Sequence, residues 1–193
     1  MEVFLMLTSV YHSCPVFITP RFTLRLVRRE DIPGLLTVYS DTQAQNYFNA
    51  DNCTSDFRYT TLREMEACVR MWLRSYENQD FVRWTIHTHK GVAGTVEMFR
   101  RDAGEDGRGE GVLRIDVSRM YEFADVFDEL LRVLLPALHE HFQCERILTK
   151  ALPIMQQRRL ALVLHGFVPS KKPLIGHSGI EYGNYWAHRH HLR

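Results

Sequence analysis

The segment from Val112 to Ala151 constrains the fold more than any other part of this sequence. It begins with the apolar strand Val112–Val117, continues in a helix predicted over Ala124–Phe142, and ends in the short strand Arg146–Ala151. Apolar residues recur along the helix at spacings of three and four, which indicates one buried face. Two strands joined by a crossover helix pack as a parallel, right-handed pair in one sheet. The sequence therefore predicts a layered α/β domain.

The remaining elements follow from the two periodicities of helices and strands, with glycine, proline and acidic residues marking their ends. The predicted elements are a strand at 22–28, a helix beginning at 30–33, a short helical segment at 40–50, a helix at 61–76, a hairpin of strands at 81–88 and 92–100, a helix at 154–165, and strands near 167–170 and 180–188. We expect a mixed, mostly antiparallel sheet of about seven strands with four helices, in the order β-α-α-β-β-β-α-β-α-β-β.

Length and net charge limit the classes of protein to which the chain can belong. The chain has 193 residues, of which 45% are hydrophobic, and this suits one domain with a substantial core. Basic residues number 24 and acidic residues 23, so the formal net charge is +1. This balance offers no electrostatic basis for binding nucleic acid or an anionic membrane surface. We therefore predict a single domain over residues 1–193 that binds neither.

The cysteines and the first residues bear on the compartment. The four cysteines stand far apart, at positions 14, 53, 68 and 144, and none forms a CxxC pair. This pattern is typical of reduced thiols and favours a cytoplasmic location. The opening residues 1–17 are apolar, but they lack the charged start of a signal peptide and are too short to span a bilayer. We interpret residues 1–18 as an N-terminal extension that packs on the domain or is loosely ordered.

Three stretches give the chain a resemblance to a known family. They are Thr19-Pro-Arg-Phe-Thr-Leu-Arg-Leu-Val-Arg-Arg-Glu-Asp-Ile, Gly91-Val-Ala-Gly-Thr-Val-Glu-Met-Phe and Ala161-Leu-Val-Leu-His-Gly-Phe. In this order and spacing they resemble the opening strand and helix, the third strand and the end of the fourth helix of the GCN5-related N-acetyltransferases. The branch that looks like ribosomal-protein N-acetyltransferases is the most similar. The resemblance covers about residues 18 to 188.

The resemblance implies acetyl-CoA as co-substrate, bound at the fourth strand and the helix after it. In the family the pyrophosphate lies on backbone N–H groups at the start of that helix, where free donors and the positive helix end attract anions. The corresponding residues here are Phe123, Ala124, Asp125 and Val126. The family also polarises the thioester carbonyl with a backbone N–H beside a bulge in the fourth strand, which implies Val117 or Ser118.

Four positions depart from the family pattern. Phe123 and Asp125 stand where the family has glycines, so the backbone is less accessible and a negative charge lies near the phosphate position. Met155 and Leu162 stand where the family often has an asparagine and a tyrosine, and a leucine cannot protonate the departing thiolate. Water or another residue would then supply that proton. Arg158 is either a substitute anion contact or part of a solvated helix face.

Two carboxylates are candidates for the base that removes a proton from the amine. Glu97 stands in an otherwise apolar strand, and Asp116 stands on the next one. A partly desolvated carboxylate has a raised pKa and takes an ammonium proton more readily. The alternative for each is a salt bridge, in which Arg83 pairs with Glu97 and Arg114 pairs with Asp116. No metal site is predicted, because the pair His87 and His89 has no third ligand nearby in sequence.

We therefore expect an acetyl-CoA-dependent N-acetyltransferase that acts on a primary amine of a small molecule or a protein N-terminus. The amine would attack the thioester directly, without a covalent enzyme intermediate. The alternative is a non-catalytic protein that keeps this fold and binds a peptide or another ligand in the cleft, since fold alone does not define function. The sequence leaves the oligomeric state open, with a homodimer among the alternatives.

Overall fold

The computed structural model describes residues 9–101 and 109–189. Its four α-helices are α1 (Ile32–Tyr39), α2 (Leu62–Glu77), α3 (Ala124–His141) and α4 (Gln156–Leu164). Its strands are β1 (Phe17–Ile18), β2 (Thr23–Leu26), β3 (Val82–Thr88), β4 (Gly91–Arg101), β5 (Glu110–Val117), β6 (Arg146–Lys150), β7 (Val168–Pro169), β8 (Leu174–Ile175), β9 (Glu181–Tyr182) and β10 (Tyr185–Arg189).

Eight of these strands form one sheet in the order β1-β2-β3-β4-β5-β6-β10-β7, and β8 and β9 pair separately. Strands β5 and β6 are parallel and are joined by α3, whereas the other neighbouring pairs are antiparallel. The predicted mixed α/β class with four helices and a mostly antiparallel sheet is thereby confirmed. The additional strands are short ones of two residues at the edges of the sheet and in the separate pair.

Some predicted boundaries were wrong for local reasons. The segment 40–50 contains only a 3₁₀ turn at Gln45–Tyr47. The side chain of Asp41 accepts the N–H groups of Gln43 and Ala44, and such local bonds compete with a helix. The strand predicted at 180–188 is divided between β9 and β10, because Asn184 between them has a left-handed backbone with φ of 63°. Of the predicted N-terminal extension, residues 17–18 pair with β2, and residues 1–8 lie outside the described residues.

The two faces of the sheet differ in chemistry. The face toward α3 is apolar and carries Trp84, Ile86, Val96, Met98, Leu113 and Ile115 in the main core. The opposite face, toward α1 and α2, carries six buried polar side chains, which we call the polar face: Arg83, Thr85, Thr95, Glu97, Arg114 and Asp116. Alternation along three adjacent strands places these side chains together. Buried polar groups need partners, so this face is where chemistry is expected.

Gly94 allows β4 and β5 to lie unusually close beside the polar face. It is paired with Val117, and a Cβ atom added at Gly94 would lie 2.1 Å from the backbone oxygen of Asp116. No side chain larger than hydrogen fits there unless the two strands separate.

We predict that Gly94→Ala lowers the free energy of unfolding by about 1–3 kcal/mol or more, because the added methyl group forces the strands apart. Gly183→Ala is the matched control, since a Cβ atom there has no neighbour within 4 Å, and it should change stability by less than about 0.5 kcal/mol. Urea unfolding of the two variants measures both effects. Equal stability of the two variants would show that the strand spacing does not depend on Gly94.

Candidate active site

Strands β5 and β6 separate in the middle of the sheet. Their pairing runs from Glu110 with Arg146 to Leu113 with Thr149, and β5 then continues alone to Val117. Within the described residues, the last four positions of β5 have no pairing on the β6 side. An open strand edge inside a sheet exposes backbone N–H and C=O groups to a ligand.

The N–H group of Val117 faces this opening. The neighbouring Ser118 N–H donates to the oxygen of Ala93 in β4 at 2.9 Å, and successive N–H groups along a strand point to opposite sides. Two backbone N–H groups were predicted to polarise the thioester carbonyl. That of Ser118 is therefore already engaged, and that of Val117 has the suitable direction. The expected bulge in β5 is absent: its register with β4 is regular, and the irregularity lies between β3 and β4 at Ile86 and His87.

Glu97 lies at the centre of the polar face, between two arginines. Its Oε1 atom is 2.5 Å from Nη1 of Arg114, and its Oε2 atom accepts a hydrogen bond from Nη2 of Arg83. Burial alone would raise the pKa of Glu97, but the two guanidinium groups outweigh burial and lower it. Glu97 is thus held as a carboxylate anion in an ion-pair network. This geometry favours the salt-bridge interpretation of Glu97 over the catalytic one.

Asp116 has a different environment on the same face. It is fully buried, and its Oδ1 atom accepts the backbone N–H of Asn49 at 3.1 Å. Its Oδ2 atom has no hydrogen-bond partner among the residues that the structure describes. Burial raises the pKa of Asp116, and the nearby Arg83 and the Asn49 N–H oppose this only in part. The expected partner Arg114 pairs with Glu97 instead, which leaves Asp116 able to take up a proton.

The segment Asn49–Asp51, which we call the cover segment, lies over Asp116. Arg114 donates to the backbone oxygen of Asp51 at 2.6 Å, and Lys150 Nζ lies 2.6 Å from its carboxylate. Tyr185 accepts from the Asn49 side chain and donates to Asp51, both at 3.2 Å. The cover segment therefore joins β5, β6 and β10 across the opening and keeps solvent from Asp116.

A groove of about 840 Å³ lies at the other end of the opening. It is bounded by α1, the β3–β4 turn and the residues that lead into α3, and its lining includes Thr37, Val92, Ser118, Met120, Tyr121 and Phe123. The side chains of Met120 and Phe123 are 61% and 50% exposed, and they give the groove an apolar wall. Lys90 and Arg119 also line it with two positive charges. The Asp41 carboxylate, which accepts the Arg119 backbone N–H at 3.1 Å, lines it with one negative charge. Neither cation was among the predicted site residues, although Arg119 directly follows the site strand in sequence.

The start of α3 is occupied by side chains of the protein itself. Ala124 N–H donates to the Gln157 side chain at 3.2 Å, and Val126 N–H donates to the oxygen of Phe123 at 3.1 Å. Arg21 Nη1 lies 2.6 Å from the Asp125 carboxylate. The Phe123 N–H also donates, to the oxygen of Tyr121 at 2.9 Å. The negative charge that was expected to repel a phosphate is therefore neutralised, but three of the four predicted amide donors are already used.

Arg158 and the two unusual positions of α4 belong to the interior. Arg158 forms a buried two-bond ion pair with Glu122, at 3.0 and 2.8 Å, and its guanidinium lies over the Phe127 ring. It is thus neither the solvated residue nor the free anion contact that the sequence suggested. Met155 and Leu162 are buried in the main core, so neither supplies a proton to a leaving group.

The remaining polar candidates are the histidine pair and the cysteines. His87 Nε2 lies 3.3 Å from Asp31, and His89 is exposed at the end of the hairpin. Over the described ranges, no group of three or more histidine, cysteine, aspartate or glutamate side chains is placed to hold a metal ion. All four cysteines are free thiols. In the same ranges, the helices are too short or too polar to cross a membrane.

The fold is similar to those of solved acetyltransferases. RimL, a ribosomal L7/L12 α-N-protein acetyltransferase in complex with coenzyme A, gives a TM-score of 0.70 at 12% identity, over 91% of this chain and 98% of that one. A Salmonella typhimurium acetyltransferase that modifies the N-terminal serine of L7/L12 gives 0.66 at 11% identity, over 92% and 100%. The microcin C7 self-immunity acetyltransferase MccE, in complex with acetyl-CoA and AMP, gives 0.67 at 12% identity, over 88% and 93%.

No protein-family model matches the sequence, and no curated protein matches it. The structural neighbours nevertheless show that the chain has the fold of the GCN5-related N-acetyltransferases. Ribosomal-protein N-acetyltransferases are among the neighbours, as the sequence resemblance implied.

The two carboxylates should respond oppositely to neutral substitution. Glu97→Gln leaves two buried guanidinium groups without their anion, so we expect a loss of about 3–5 kcal/mol in unfolding free energy. The loss should shrink as pH falls through the lowered pKa of Glu97, because the contribution of the anion disappears there. Asp116→Asn should be at least as stable as the parent, with an advantage that grows as pH rises through the raised pKa of Asp116.

Thermal or urea unfolding of both variants across pH measures this difference. The assignment of the two environments is wrong if Asp116→Asn is the more damaging change near neutral pH.

Proposed function

We propose that this protein is an acetyl-CoA-dependent N-acetyltransferase that transfers an acetyl group to a primary amine. The observation that carries the proposal is the open edge of β5, where the Val117 N–H and an oxygen of Asp116 that has no hydrogen-bond partner among the described residues occur on adjacent residues. A hydrogen-bond donor for a developing oxyanion and a carboxylate with a raised pKa are the two groups that acyl transfer to an amine requires. The neighbours with bound coenzyme A or acetyl-CoA support this assignment.

The groove at the start of α3 fits the co-substrate in its shape and charge. Acetyl-CoA supplies an activated acetyl group as a thioester. Met120 and Phe123 offer apolar contacts to the pantetheine arm, and Lys90 and Arg119 offer charges to the phosphates. With the Ala124 and Val126 amides already bonded within the protein, these cations take over part of the role that the family gives to a glycine-rich loop.

The proposed chemistry is direct attack in a ternary complex. Asp116 takes a proton from the ammonium group of the acceptor, directly or through water, and the free amine attacks the carbonyl carbon. Val117 N–H stabilises the negative charge that develops on the carbonyl oxygen. The C–N bond forms and the C–S bond breaks. The second proton that the nitrogen loses passes through water to the thiolate, since Leu162 has none to give. For this the cover segment must move enough to admit the amine to Asp116.

The acceptor is proposed to be an amine of a small molecule or a protein N-terminus. One neighbour modifies the N-terminal serine of a ribosomal protein, and another is a self-immunity acetyltransferase in complex with the small molecule AMP, which supports keeping both acceptor classes in the proposal. A cytoplasmic location and a homodimer stay predictions.

A second candidate function is ligand binding without catalysis. It is favoured by the Gln157 bond to the Ala124 amide and by the buried pair of Arg158 with Glu122, which together fix α4 against the start of α3. In that case the groove would hold a ligand other than acetyl-CoA. The two candidates differ in whether acetyl-CoA is consumed.

The test of the proposed function is acetyl transfer to a panel of primary amines, followed by release of the CoA thiol. We expect turnover by the parent and a loss of about 10²–10⁴-fold in Asp116→Asn, which keeps the shape of the side chain but cannot act as a base. For the parent, kcat/KM should rise with pH up to a value above the usual range of an aspartate pKa. Acetyl-CoA binding should be unchanged in the variant.

Equal turnover by Asp116→Asn would remove Asp116 from the mechanism, and no turnover with any amine would favour the binding protein.

The groove can be tested separately by equilibrium binding. Lys90→Ala should weaken acetyl-CoA binding by about tenfold or more, since one charge-assisted hydrogen bond is lost. Asp125→Asn should tighten binding, because it removes a carboxylate near the phosphates while Arg21 keeps its ion pair with Glu129. Lys171→Ala, at an exposed position outside the groove, is the control and should have no effect. The same dissociation constant for Lys90→Ala and Lys171→Ala would place the phosphates elsewhere.

A further inference from the structure

A second cavity, of about 270 Å³, opens on the polar face, where it is lined by Arg114, two residues before Asp116 on β5. It lies between α2, the segment that follows the cover segment, and strands β3 to β5. Four aromatic side chains form much of its wall: Phe57, Trp72, Phe81 and Phe99. Such a wall suits a flat apolar group, since aromatic rings contribute large contact areas with defined geometry.

The floor of this cavity carries an excess positive charge. Arg83 and Arg114 both contact it, and the one buried carboxylate between them is Glu97. Among the buried side chains that line the cavity, two guanidinium groups and one carboxylate leave a net charge of plus one, and Asp116 on the same face does not line it. The other charged group at the cavity, Asp80, is exposed at its edge, where solvent screens it.

Arg114 also has unused hydrogen-bonding capacity. Its side chain is 7% exposed, and among the described residues it bonds to Glu97 and to the oxygen of Asp51. Its Nε atom is buried and finds no acceptor within the part of the chain that the structure describes, and the same holds for Nε of Arg83. A guanidinium group offers five donors, and buried donors without acceptors are unfavourable. Because Arg114 lines the cavity and each of its Nη atoms carries two hydrogens, an anionic ligand there can accept from the Nη hydrogens that the bonds to Glu97 and Asp51 leave over.

We propose that this cavity binds the carboxylate of the acceptor substrate, so that the enzyme acetylates amines that also carry an acid and an apolar or aromatic group. The inference rests on the proposed function and specifies its acceptor class. A carboxylate matches the single excess charge, and its two oxygens match the planar fork of an arginine. A phosphate monoester would bring up to two negative charges, which the floor does not balance.

The spacing of the site limits the size of the acceptor. Arg114 and Asp116 lie on the same face of β5, two residues apart, which corresponds to about 7 Å along a strand. An amine at Asp116 and a carboxylate at Arg114 are therefore separated by about the length of two extended residues. An unmodified dipeptide with an aromatic second residue has this separation and fills the aromatic wall.

The test is a fluorescence titration in which glycyl-phenylalanine and its C-terminal amide are compared, without acetyl-CoA. Trp72 lines the cavity and lies under the Arg83 guanidinium, so ligand entry should change the tryptophan emission. We expect saturable binding of the acid and binding about tenfold weaker or more for the amide, which keeps every other group. Arg114→Lys, which keeps the charge but loses the fork, should bind the acid about as weakly as the parent binds the amide.

The comparison of the two ligands on the parent protein decides the inference even if Arg114→Lys does not fold. Equal affinity for acid and amide, or no binding of either at millimolar concentration, would overturn it. The proposed function is judged by a different result, the acetylation of any amine. Efficient acetylation of amines without a carboxylate, such as 2-phenylethylamine, beside equal binding of the two dipeptides would refute the acceptor class and leave the acetyltransferase standing.

Discussion

The buried charge cluster of Arg83, Glu97 and Arg114 is the interaction on which the rest of this structure depends. Arg83 alone joins four elements, because its guanidinium lies 4.1 Å from the centre of a Trp72 ring in α2 and donates to Tyr39 in α1 and to β4. Charges in an interior are unfavourable unless they are paired, so each member requires the others. The helices on this side of the sheet are thus positioned by an ionic centre as well as by apolar packing.

The same cluster gives two carboxylates on adjacent strands different electrostatic environments. Glu97 holds both arginines and is therefore kept as an anion. Within residues 9–101 and 109–189, Asp116 has one backbone donor and no cation in direct contact, so burial dominates and raises its pKa. Two carboxylates whose environments shift their pKa values in opposite directions are a common arrangement in acid–base sites. Here the one with the raised pKa lies at the point where the sheet opens, next to the amide that would stabilise an oxyanion.

Sequence periodicity was sufficient for the fold, since long amphipathic helices and alternating strands define which faces are buried. It also identified both carboxylates, because a charged residue in an apolar strand is conspicuous. It did not give their partners: whether Arg114 pairs with Glu97 or Asp116 depends on strand register, which a one-residue shift would reverse. It also missed the groove cations Lys90 and Arg119, which lie far apart in sequence and meet only when the hairpin turn and the start of α3 come together.

The opposite pKa shifts of the two carboxylates are tested most directly by a carboxyl ¹³C NMR titration of the parent protein, with Glu97 and Asp116 assigned from their amide variants. The account predicts that Glu97 titrates below the usual range of a glutamate pKa and that Asp116 titrates above the usual range of an aspartate pKa. The opposite order would contradict it, since Asp116 would then be held as a permanent anion and Glu97 would be the group able to exchange a proton.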